Sequence, residues 1–152
     1  SPVRLADGTI VVALRRRIPN DDKTPCWVDC YGSKDNGRTW SFLSRAGDTG
    51  GWNGNPPALV VMSDGRIVCA YGDRTRIKMF ARLSADGGKT WGEEIALRDD
   101  YQPDKFGDKD FGYPRIVQNH HGELVAMYYW STQKNFQQYI AATIWTAESN
   151  IK

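Results

Sequence analysis

The residues with the most obvious chemistry are arginines that follow two apolar runs of the sequence. Arg15-Arg16-Arg17 follows the first run, and Gly72-Asp73-Arg74-Thr75-Arg76 follows the second. Each guanidinium offers a planar fork of N–H groups, so arginines that converge form a pocket suited to a carboxylate. The same residues also suit solvated loops with ordinary surface charges. The arginines therefore indicate a candidate pocket only if the fold brings them together.

Three evenly spaced turns divide the sequence into repeats that would position these arginines. The turns are Asp7-Gly8, Asp64-Gly65 and His121-Gly122, and their glycines lie 57 residues apart, at positions 8, 65 and 122. Each turn joins two short apolar runs, as the turn of a β-hairpin does. A third run follows in every repeat (26–31, 77–83 and 139–145), and a fourth follows in the first two (40–44 and 94–97). Four short strands in a repeat of roughly 40 to 60 residues are typical of β-propeller blades.

A second signature lies between the third and fourth runs of the first two repeats. It reads S-x-D-x-G-x-T-W and occurs twice, as Ser33, Asp35, Gly37, Thr39 and Trp40, and as Ser84, Asp86, Gly88, Thr90 and Trp91. Aspartate and serine side chains accept backbone N–H groups in turns, and glycine adopts positive φ without strain. We expect both copies to be structural turns and not catalytic, with each tryptophan folded back as an apolar plug.

Strand alternation predicts which loops share an edge of the propeller. If the first strand of each repeat descends, the glycine turns and the S-x-D-x-G-x-T-W turns both lie at the lower edge. The upper edge then holds the starts of first strands and the ends of second strands. The residues predicted there are Asn53–Pro56, Phe111–Tyr113, Arg15–Arg17, Gly72–Arg76, Tyr129 and Trp130. His120 and His121 fall in a lower turn and are expected to face solvent.

Composition favours a globular protein and argues against several classes of function. Hydrophobic residues make up 40% and charged residues 25% of the 152 residues. The net charge of +2 is too small to indicate nucleic-acid binding. No apolar stretch approaches the roughly 20 residues that a membrane helix needs. The sequence therefore predicts neither a nucleic-acid partner nor a membrane partner.

The cysteines and acidic residues do not form a pattern typical of a metal site. Cys26 and Cys30 are four residues apart in a predicted strand, too far for a disulfide at about 3.3 Å per residue. With Cys69 they are expected to be buried apolar residues. The loop from Asp104 to Asp110 mixes carboxylates with Lys105 and Lys109, which makes a poor calcium site. No metal and no cofactor are predicted.

The two S-x-D-x-G-x-T-W copies, the hairpin repeat and the segment Asp110–Gln118 together resemble the sialidase (neuraminidase) superfamily of bacterial type. In that superfamily the turn motif is called the Asp box, and the resemblance covers essentially the whole chain. It implies an all-β fold with about three four-stranded antiparallel blades of a six-bladed propeller. The blades would span 1–48, 53–100 and, incompletely, 110–147. The chain would then correspond to the C-terminal half of a longer propeller.

The resemblance also implies roles for individual residues. The family binds a sugar carboxylate through three arginines, and a tyrosine activated by a glutamate attacks the sugar. By that resemblance Arg15 and Arg74 bind the carboxylate, with Arg16 or Arg17 as the alternative to Arg15 and Arg76 as the alternative to Arg74. Tyr113 is the nucleophile, and because a phenol has a pKa near 10 it needs a neighbouring base and cationic surroundings. Further substrate-binding residues in this interpretation are Asp73, Asn55 and Trp130.

The sequence departs from the family pattern in three ways. Arg17-Ile18-Pro19 matches the family's motif for the first arginine, but it follows a hairpin instead of opening one. We therefore interpret the match as coincidental. Tyr128-Tyr129-Trp130 stands where the family often has a glutamate that orients the first arginine. The activating glutamate, the first arginine and the acid/base aspartate would all precede Ser1. We therefore expect these 152 residues alone to be inactive.

The resemblance implies a glycoside hydrolase that acts on terminal acidic sugars such as sialic acid, with a retaining mechanism. Its partner would be a sialoglycoconjugate, and a secreted or periplasmic location is suggested by the resemblance alone. Two alternatives stay open: a non-catalytic glycan-binding propeller, and a structural propeller that binds no sugar. Homodimerisation would close the ring of a half-length chain, because two copies would supply about six blades.

Overall fold

The structure, a computed structural model, describes residues 1–19, 25–51, 53–103 and 109–147. Within these ranges the chain forms eleven β-strands, and no segment of them is helical. Consequently none of the described segments is a helix long and apolar enough to cross a membrane. The all-β fold class predicted from the sequence is confirmed.

The strands form three antiparallel sheets in which neighbours in sequence are neighbours in space. The first sheet contains β1 (Pro2–Arg4), β2 (Ile10–Arg16), β3 (Cys26–Ser33) and β4 (Ser41–Gly50). The second sheet contains β5 (Ala58–Val61), β6 (Ile67–Asp73), β7 (Lys78–Ser84) and β8 (Ile95–Arg98). The third sheet contains β9 (Gly112–Gln118), β10 (Leu124–Thr132) and β11 (Asn135–Trp145). The strand repeat is thus as predicted, and the division into blades at 1–48, 53–100 and 110–147 stays a prediction.

Each of the three predicted glycine turns closes a hairpin in the left-handed backbone region. Gly8, Gly65 and Gly122 have φ angles of 87°, 87° and 83°. A Cβ atom at these positions would meet no other atom within 4 Å. Glycine is therefore required by the backbone conformation and not by lack of space. His120 and His121, next to the last of these glycines, are exposed as predicted.

The two S-x-D-x-G-x-T-W turns have the same internal hydrogen bonds. In the first, the Asp35 carboxylate accepts the Ser33 hydroxyl at 2.8 Å, the Thr39 N–H at 2.8 Å and the Thr39 hydroxyl at 2.6 Å. Asp86 accepts the corresponding groups of Ser84 and Thr90 at 2.8, 2.9 and 2.6 Å. The serine hydroxyl in turn accepts the N–H of the motif glycine at 2.8 Å in both turns. Each turn is therefore held by its own side chains.

The two motif tryptophans differ in their burial, which corrects one expectation. Trp91 packs against the core between the first two sheets, and its Nε1 donates to the Ser44 hydroxyl at 2.9 Å. Trp40 is 44% exposed, although its Nε1 folds back to donate to the Gly37 carbonyl at 3.1 Å. No described sheet lies on the far side of the first sheet, and the ring of Trp40 is left partly exposed. Only Trp91 is an apolar plug.

The sheets stack face to face through their alternating apolar residues. Val11, Val28 and Cys30 of the first sheet meet Ile67 and Cys69 of the second. The opposite face of the second sheet packs on the third through a further cluster (Val68, Ala70, Ala81, Ile116 and Leu124). All three cysteines are buried free thiols, as expected. Burial raises the pKa of Cys30 to about 12, which keeps this thiol unreactive at neutral pH.

An aromatic cluster fills the upper part of the third sheet. Trp130 is fully buried, with ring centroids 5.1 Å from Tyr101 and 4.9 Å from Phe111. Its Nε1 donates to the Asp100 carboxylate at 2.9 Å. Side chains alternate along β10, and Leu124, Ala126 and Tyr128 on the same side are also buried. Trp130 is therefore a core residue, which corrects its predicted position on the upper edge.

The outer faces of the first and third sheets carry several exposed apolar side chains. On the first sheet they include Leu14 and Phe42, and on the third Met127, Ile140 and Ile144, with Ile140 exposed to 78%. Several exposed large apolar side chains on one face are typical of a surface that packs against a further element. Closure of the ring and the homodimer both stay predictions.

Acid should weaken the fold through the two turn aspartates. Hydrogen bonds from Thr39 and Ser33 lower the pKa of Asp35 to about 2. Partial burial raises the pKa of Asp86, but hydrogen bonds from Thr90 and Ser84 outweigh it and lower the pKa to about 2. Because an unfolded aspartate has a pKa of about 3.9, this stabilisation is complete above about pH 4 and is lost as the pH falls towards 2.

We expect Asp35→Asn and Asp86→Asn to lower the free energy of unfolding at pH 7 and to flatten its decline between about pH 4 and pH 2. Urea unfolding at a series of pH values measures both effects. The control is Asp48→Asn, which changes an exposed carboxylate that has no hydrogen bond to another described residue. An unchanged acid slope in both turn variants would show that the turns do not depend on ionised aspartates.

Candidate functional site

A cleft of about 490 Å³ lies where the ends of β2 and β6 meet the start of β9. Its described lining consists of Arg15, Arg16, Arg17, Asn53, Arg74, Asp110 and Tyr113. It is at the end of β2 away from the Gly8 turn, so it belongs to the edge opposite the hairpin turns. Four guanidinium groups and one carboxylate give it a surplus of positive charge.

The three consecutive arginines at the end of β2 have different surroundings. Alternation places Arg15 on the same face of β2 as the buried Val11 and Ala13, which is the face that packs on the second sheet. Its exposed guanidinium makes no hydrogen bond or ion pair with any described residue. Arg16, on the opposite face, lies 3.7 Å from the Asp29 carboxylate, and Arg17 donates to the Asn53 amide oxygen. Arg15 is thus the arginine of this strand that is available to a ligand.

Arg74 is held rigidly on the other side of the cleft. It is only 7% exposed, its backbone N–H donates to the Thr49 carbonyl at 3.1 Å, and its Nη2 donates to Asp110 Oδ1 at 3.0 Å. The same Asp110 oxygen accepts the Tyr129 hydroxyl at 2.5 Å. Burial raises the pKa of Tyr129, and the hydrogen bond to Asp110 raises it further, so Tyr129 stays a neutral donor. Tyr129 therefore orients Asp110, and Asp110 orients Arg74.

Tyr113 reaches the cleft through a distortion of β9. The pairs Met127–Arg115 and Tyr129–Gly112 differ in register by one residue, so a bulge lies at Tyr113 and the proline that follows it. Tyr113 has a φ of 50° and is 49% exposed, with its ring centroid 5.8 Å from that of Tyr129. No described residue bonds its hydroxyl, which leaves the phenol oxygen available to a ligand.

Two residues predicted to bind substrate are instead structural. Asn55 is fully buried, where its Nδ2 donates to the Phe111 carbonyl at 2.7 Å and its Oδ1 accepts the Tyr113 N–H at 3.0 Å. Asp73 is buried and caps the turn after β6, accepting the backbone N–H groups of Thr75 and Arg76 at 2.8 and 2.9 Å. Neither side chain lines the cleft, and the polar atoms of both are hydrogen-bonded to other parts of the protein.

Arg76 and Trp130 also lie away from the cleft. Arg76 turns towards the outer strand of its sheet, where it pairs with Glu94, donates to Asp73 and covers the Phe80 ring at 4.0 Å. It lines a separate cleft with Glu94. In a strand, Arg74 and Arg76 would point to the same face because they are two residues apart. Here the chain turns immediately after Arg74, so the two side chains point in different directions. Trp130 belongs to the aromatic core described above.

The site contains one functional interaction that the sequence interpretation missed. Asp110 was predicted only as the end of the Asp104–Asp110 loop and the start of the Asp110–Gln118 segment, with no role of its own, yet it accepts from both Arg74 and Tyr129. Its place directly before the Phe111–Tyr113 segment of the upper edge was the available signal. Among the described residues no cluster of three or more His, Cys, Asp or Glu side chains has the geometry of a metal site. Asp104 and Lys105 of that loop lie outside the described residues.

Sequence and structure comparisons agree with this architecture. A family model described as a BNR repeat-like domain matches residues 1–126. The chain belongs to the BNR repeat-like domain family. This membership confirms the resemblance to the sialidase-type propellers, and the three sheets of this BNR repeat-like domain are blades of that fold. No curated protein sequence gives a significant match.

Three solved structures illustrate the shared fold. The α-L-arabinofuranosidase Arb93A from Fusarium graminearum, in complex with an iminosugar inhibitor, has a TM-score of 0.70 at 22% identity, covering 95% of this chain and 44% of that one. An α-L-arabinanase from Penicillium chrysogenum, complexed with arabinobiose, has a TM-score of 0.66 at 22% identity, covering 97% and 45%. The Hadza microbial sialidase Hz136 has a TM-score of 0.63 at 16% identity, covering 99% and 35%. The BNR repeat-like domain therefore spans less than half of each of these proteins.

The two tyrosines at the cleft should respond differently to loss of their hydroxyl groups. Tyr129→Phe removes the 2.5 Å hydrogen bond to Asp110 and should lower the free energy of unfolding by about 1–2 kcal/mol. Tyr113→Phe removes a hydroxyl that no described residue bonds, so the change should stay within about 0.5 kcal/mol. Urea unfolding of both variants measures the difference. Equal losses would contradict the role of Tyr129 in holding Asp110.

Proposed function

We propose that the cleft binds the carboxylate of an acidic sugar at the end of a glycan, and that this propeller is a sialidase-like glycoside hydrolase. One observation carries the proposal: Arg15, Arg74 and Tyr113, which come from three different sheets, line the same cleft. The sialidase resemblance assigns these three residues to one site. The family membership and the carbohydrate ligands named for the similar structures support a propeller that binds carbohydrate.

Electrostatics supports an anionic ligand. The single described carboxylate of the lining, Asp110, is already engaged by Arg74 and Tyr129. The exposed guanidinium of Arg15 has no partner among the described residues, and Arg17 is bonded only to the neutral Asn53 amide. A ligand carboxylate would therefore gain charge-assisted hydrogen bonds at little cost in broken ones. The volume of about 490 Å³ is in the usual range for a small-molecule site, roughly 300–1,000 Å³.

Tyr113 is the proposed nucleophile. Its oxygen would attack the anomeric carbon and give its proton to a base, while the leaving oxygen takes a proton from a general acid and water later hydrolyses the sugar–tyrosine bond. Because Asp110 is engaged elsewhere, we assign the base and the acid to groups outside the described lining. Turnover should therefore need a form of the protein that supplies them.

A second candidate is a propeller that binds glycans without cleaving them. The engagement of Asp110 favours it, since the described lining then offers the Tyr113 phenol no free base. The ligand could also be neutral, because two of the similar structures are named as arabinose-acting enzymes. The experiments below separate these candidates by ligand charge and by turnover.

Replacing Arg15 should weaken binding of an acidic sugar selectively. We expect Arg15→Ala to raise the Kd for N-acetylneuraminic acid by about tenfold or more, and Arg15→Lys to raise it less, because lysine keeps the charge but not the fork. Isothermal titration calorimetry measures both. The methyl ester of the same sugar, which lacks the charge, should bind weakly to every form.

The matched control is Arg38→Ala, which removes an exposed arginine from a lower turn. It should leave the Kd unchanged. Equal affinity of the wild-type protein for the acid and its methyl ester would overturn the carboxylate proposal. Tighter binding of arabinobiose than of the acidic sugar would favour a neutral ligand instead.

Tyr113→Phe distinguishes the enzyme from the glycan-binding protein. The substitution is made in the longest natural chain that contains these residues. If Tyr113 is the nucleophile, the variant should hydrolyse a fluorogenic sialoside at least about 10³-fold more slowly than the unmodified chain. Binding of N-acetylneuraminic acid should persist. Turnover that survives the substitution would exclude Tyr113 as the nucleophile, and absence of turnover in the unmodified chain would favour the glycan-binding candidate.

A further inference from the structure

Tyr113 has a backbone conformation that a large aromatic residue rarely adopts. Its φ of 50° lies in the left-handed region, where the Cβ atom crowds the backbone. Such conformations persist only where surrounding contacts over-determine them, and they cluster at functional sites. The residue that follows is Pro114, which has no N–H and cannot add a ladder bond here. The conformation of Tyr113 must therefore be held by contacts from outside β9.

Asn55 supplies those contacts from the loop before β5. Its side chain is fully buried and bridges two backbone groups of one short segment: it donates to the Phe111 carbonyl and accepts the Tyr113 N–H, at 2.7 and 3.0 Å. The one carboxamide thus fixes the peptide groups on both sides of Gly112. Only asparagine or glutamine carries a donor and an acceptor in this arrangement.

Two glycines make room for the Asn55 carboxamide. A Cβ atom on Gly112 would lie 2.2 Å from Asn55 Oδ1, and one on Gly72 would lie 2.7 Å from Nδ2. Gly112 itself has a φ of 112°. The end of β6 and the start of β9 therefore close on the carboxamide from both sides, and it has no space to adopt another orientation.

We infer that Asn55 is a positioning residue that sets the direction of the Tyr113 side chain. By holding the Tyr113 N–H, it stabilises the bulge of β9 and keeps the phenol turned into the arginine cleft, beside the Tyr129 ring. The inference rests on the proposed function only for the chemical role of the Tyr113 phenol in the cleft. The bulge re-aims one side chain without breaking the strand, which is a common use of bulges near functional sites.

The test uses the full chain and reads the conformation of Tyr113 directly by NMR. Asn55→Ala should accelerate hydrogen exchange of the Tyr113 amide by about tenfold or more relative to amides of the same sheet, such as that of Val125. The ring-to-ring NOE between Tyr113 and Tyr129 should disappear. Asn55→Asp, which keeps an acceptor for the Tyr113 N–H, should preserve the slow exchange better than Asn55→Ala.

The matched control is Asn119→Ala. Asn119 also binds backbone groups through its carboxamide, accepting the N–H groups of His121 and Glu123 at 2.9 and 3.0 Å, but it lies in a lower turn. Its loss should destabilise the protein without changing the exchange of the Tyr113 amide or the ring NOE. A merely structural role for Asn55 would make the two alanine variants alike in these readouts.

Ligand binding separates this inference from the proposed function. With N-acetylneuraminic acid as the probe, Asn55→Ala should raise the Kd by about tenfold, or 1.4 kcal/mol. If the wild-type protein does not bind the probe, the proposed function fails while the NMR readouts still test the position of Tyr113. If Asn55→Ala does not fold, Asn55→Asp carries the test. Unchanged Tyr113 exchange and an intact ring NOE in a folded Asn55→Ala variant would overturn the inference.

Discussion

The face-to-face packing of twisted antiparallel sheets is the constraint on which the rest of the structure depends. Each sheet has one or two apolar faces, and burying them requires the sheets to stack with their hairpin turns at a common edge. Once the turns share one edge, the ends of the second strands share the other. Arg15 and Arg74, which lie far apart in sequence, meet there because Arg15 lies at the end of β2 and Arg74 directly follows β6, the second strand of its own sheet.

Stacking alone would leave the upper edge as three independent loops, and buried polar contacts join them. Arg74 donates to Asp110, which precedes the third sheet and also accepts from Tyr129 of that sheet. Asn55 is hydrogen-bonded to the backbone on both sides of Gly112. These groups are buried or half-buried, where an unmade hydrogen bond would cost the most. The junction between the second and third sheets is therefore the most constrained part of the cleft. Arg15, from the first sheet, is exposed and less constrained.

The strand repeat could be predicted from sequence because it depends on local signals. Glycines that need a positive φ recur at 8, 65 and 122, and the side chains of the S-x-D-x-G-x-T-W turns bond within their own turns. Each of these features is complete within about ten residues of chain. The same sequence interpretation placed Arg15, Arg74 and Tyr113 at one edge, since strand direction alone decides the edge.

The side-chain directions at that edge were harder to predict, because they depend on the alternation of side chains along each strand and on where the strand ends in a turn. Counting by two from Leu124 puts Trp130 in the core and Tyr129 on the opposite face, so this correction was available from the sequence. Arg76 could not be placed in that way, since the chain leaves the strand at Arg74 and alternation ends. The role of Asn55 was also beyond reach, because it depends on a close approach between two sheets that Gly72 and Gly112 permit.

The arginines on the two sides of the cleft differ in burial and in pairing, which suggests different roles in binding a ligand. Arg74 is buried and already paired, so its guanidinium is fixed before a ligand arrives and costs little conformational entropy to use. Its pairing with Asp110 also offsets part of its charge, which limits the attraction that it adds. Arg15 has the opposite properties: its full charge is exposed, and its long side chain must be ordered on binding. A rigid, partly neutralised arginine would thus define the geometry of a bound carboxylate, while a mobile, fully charged one would supply most of the attraction.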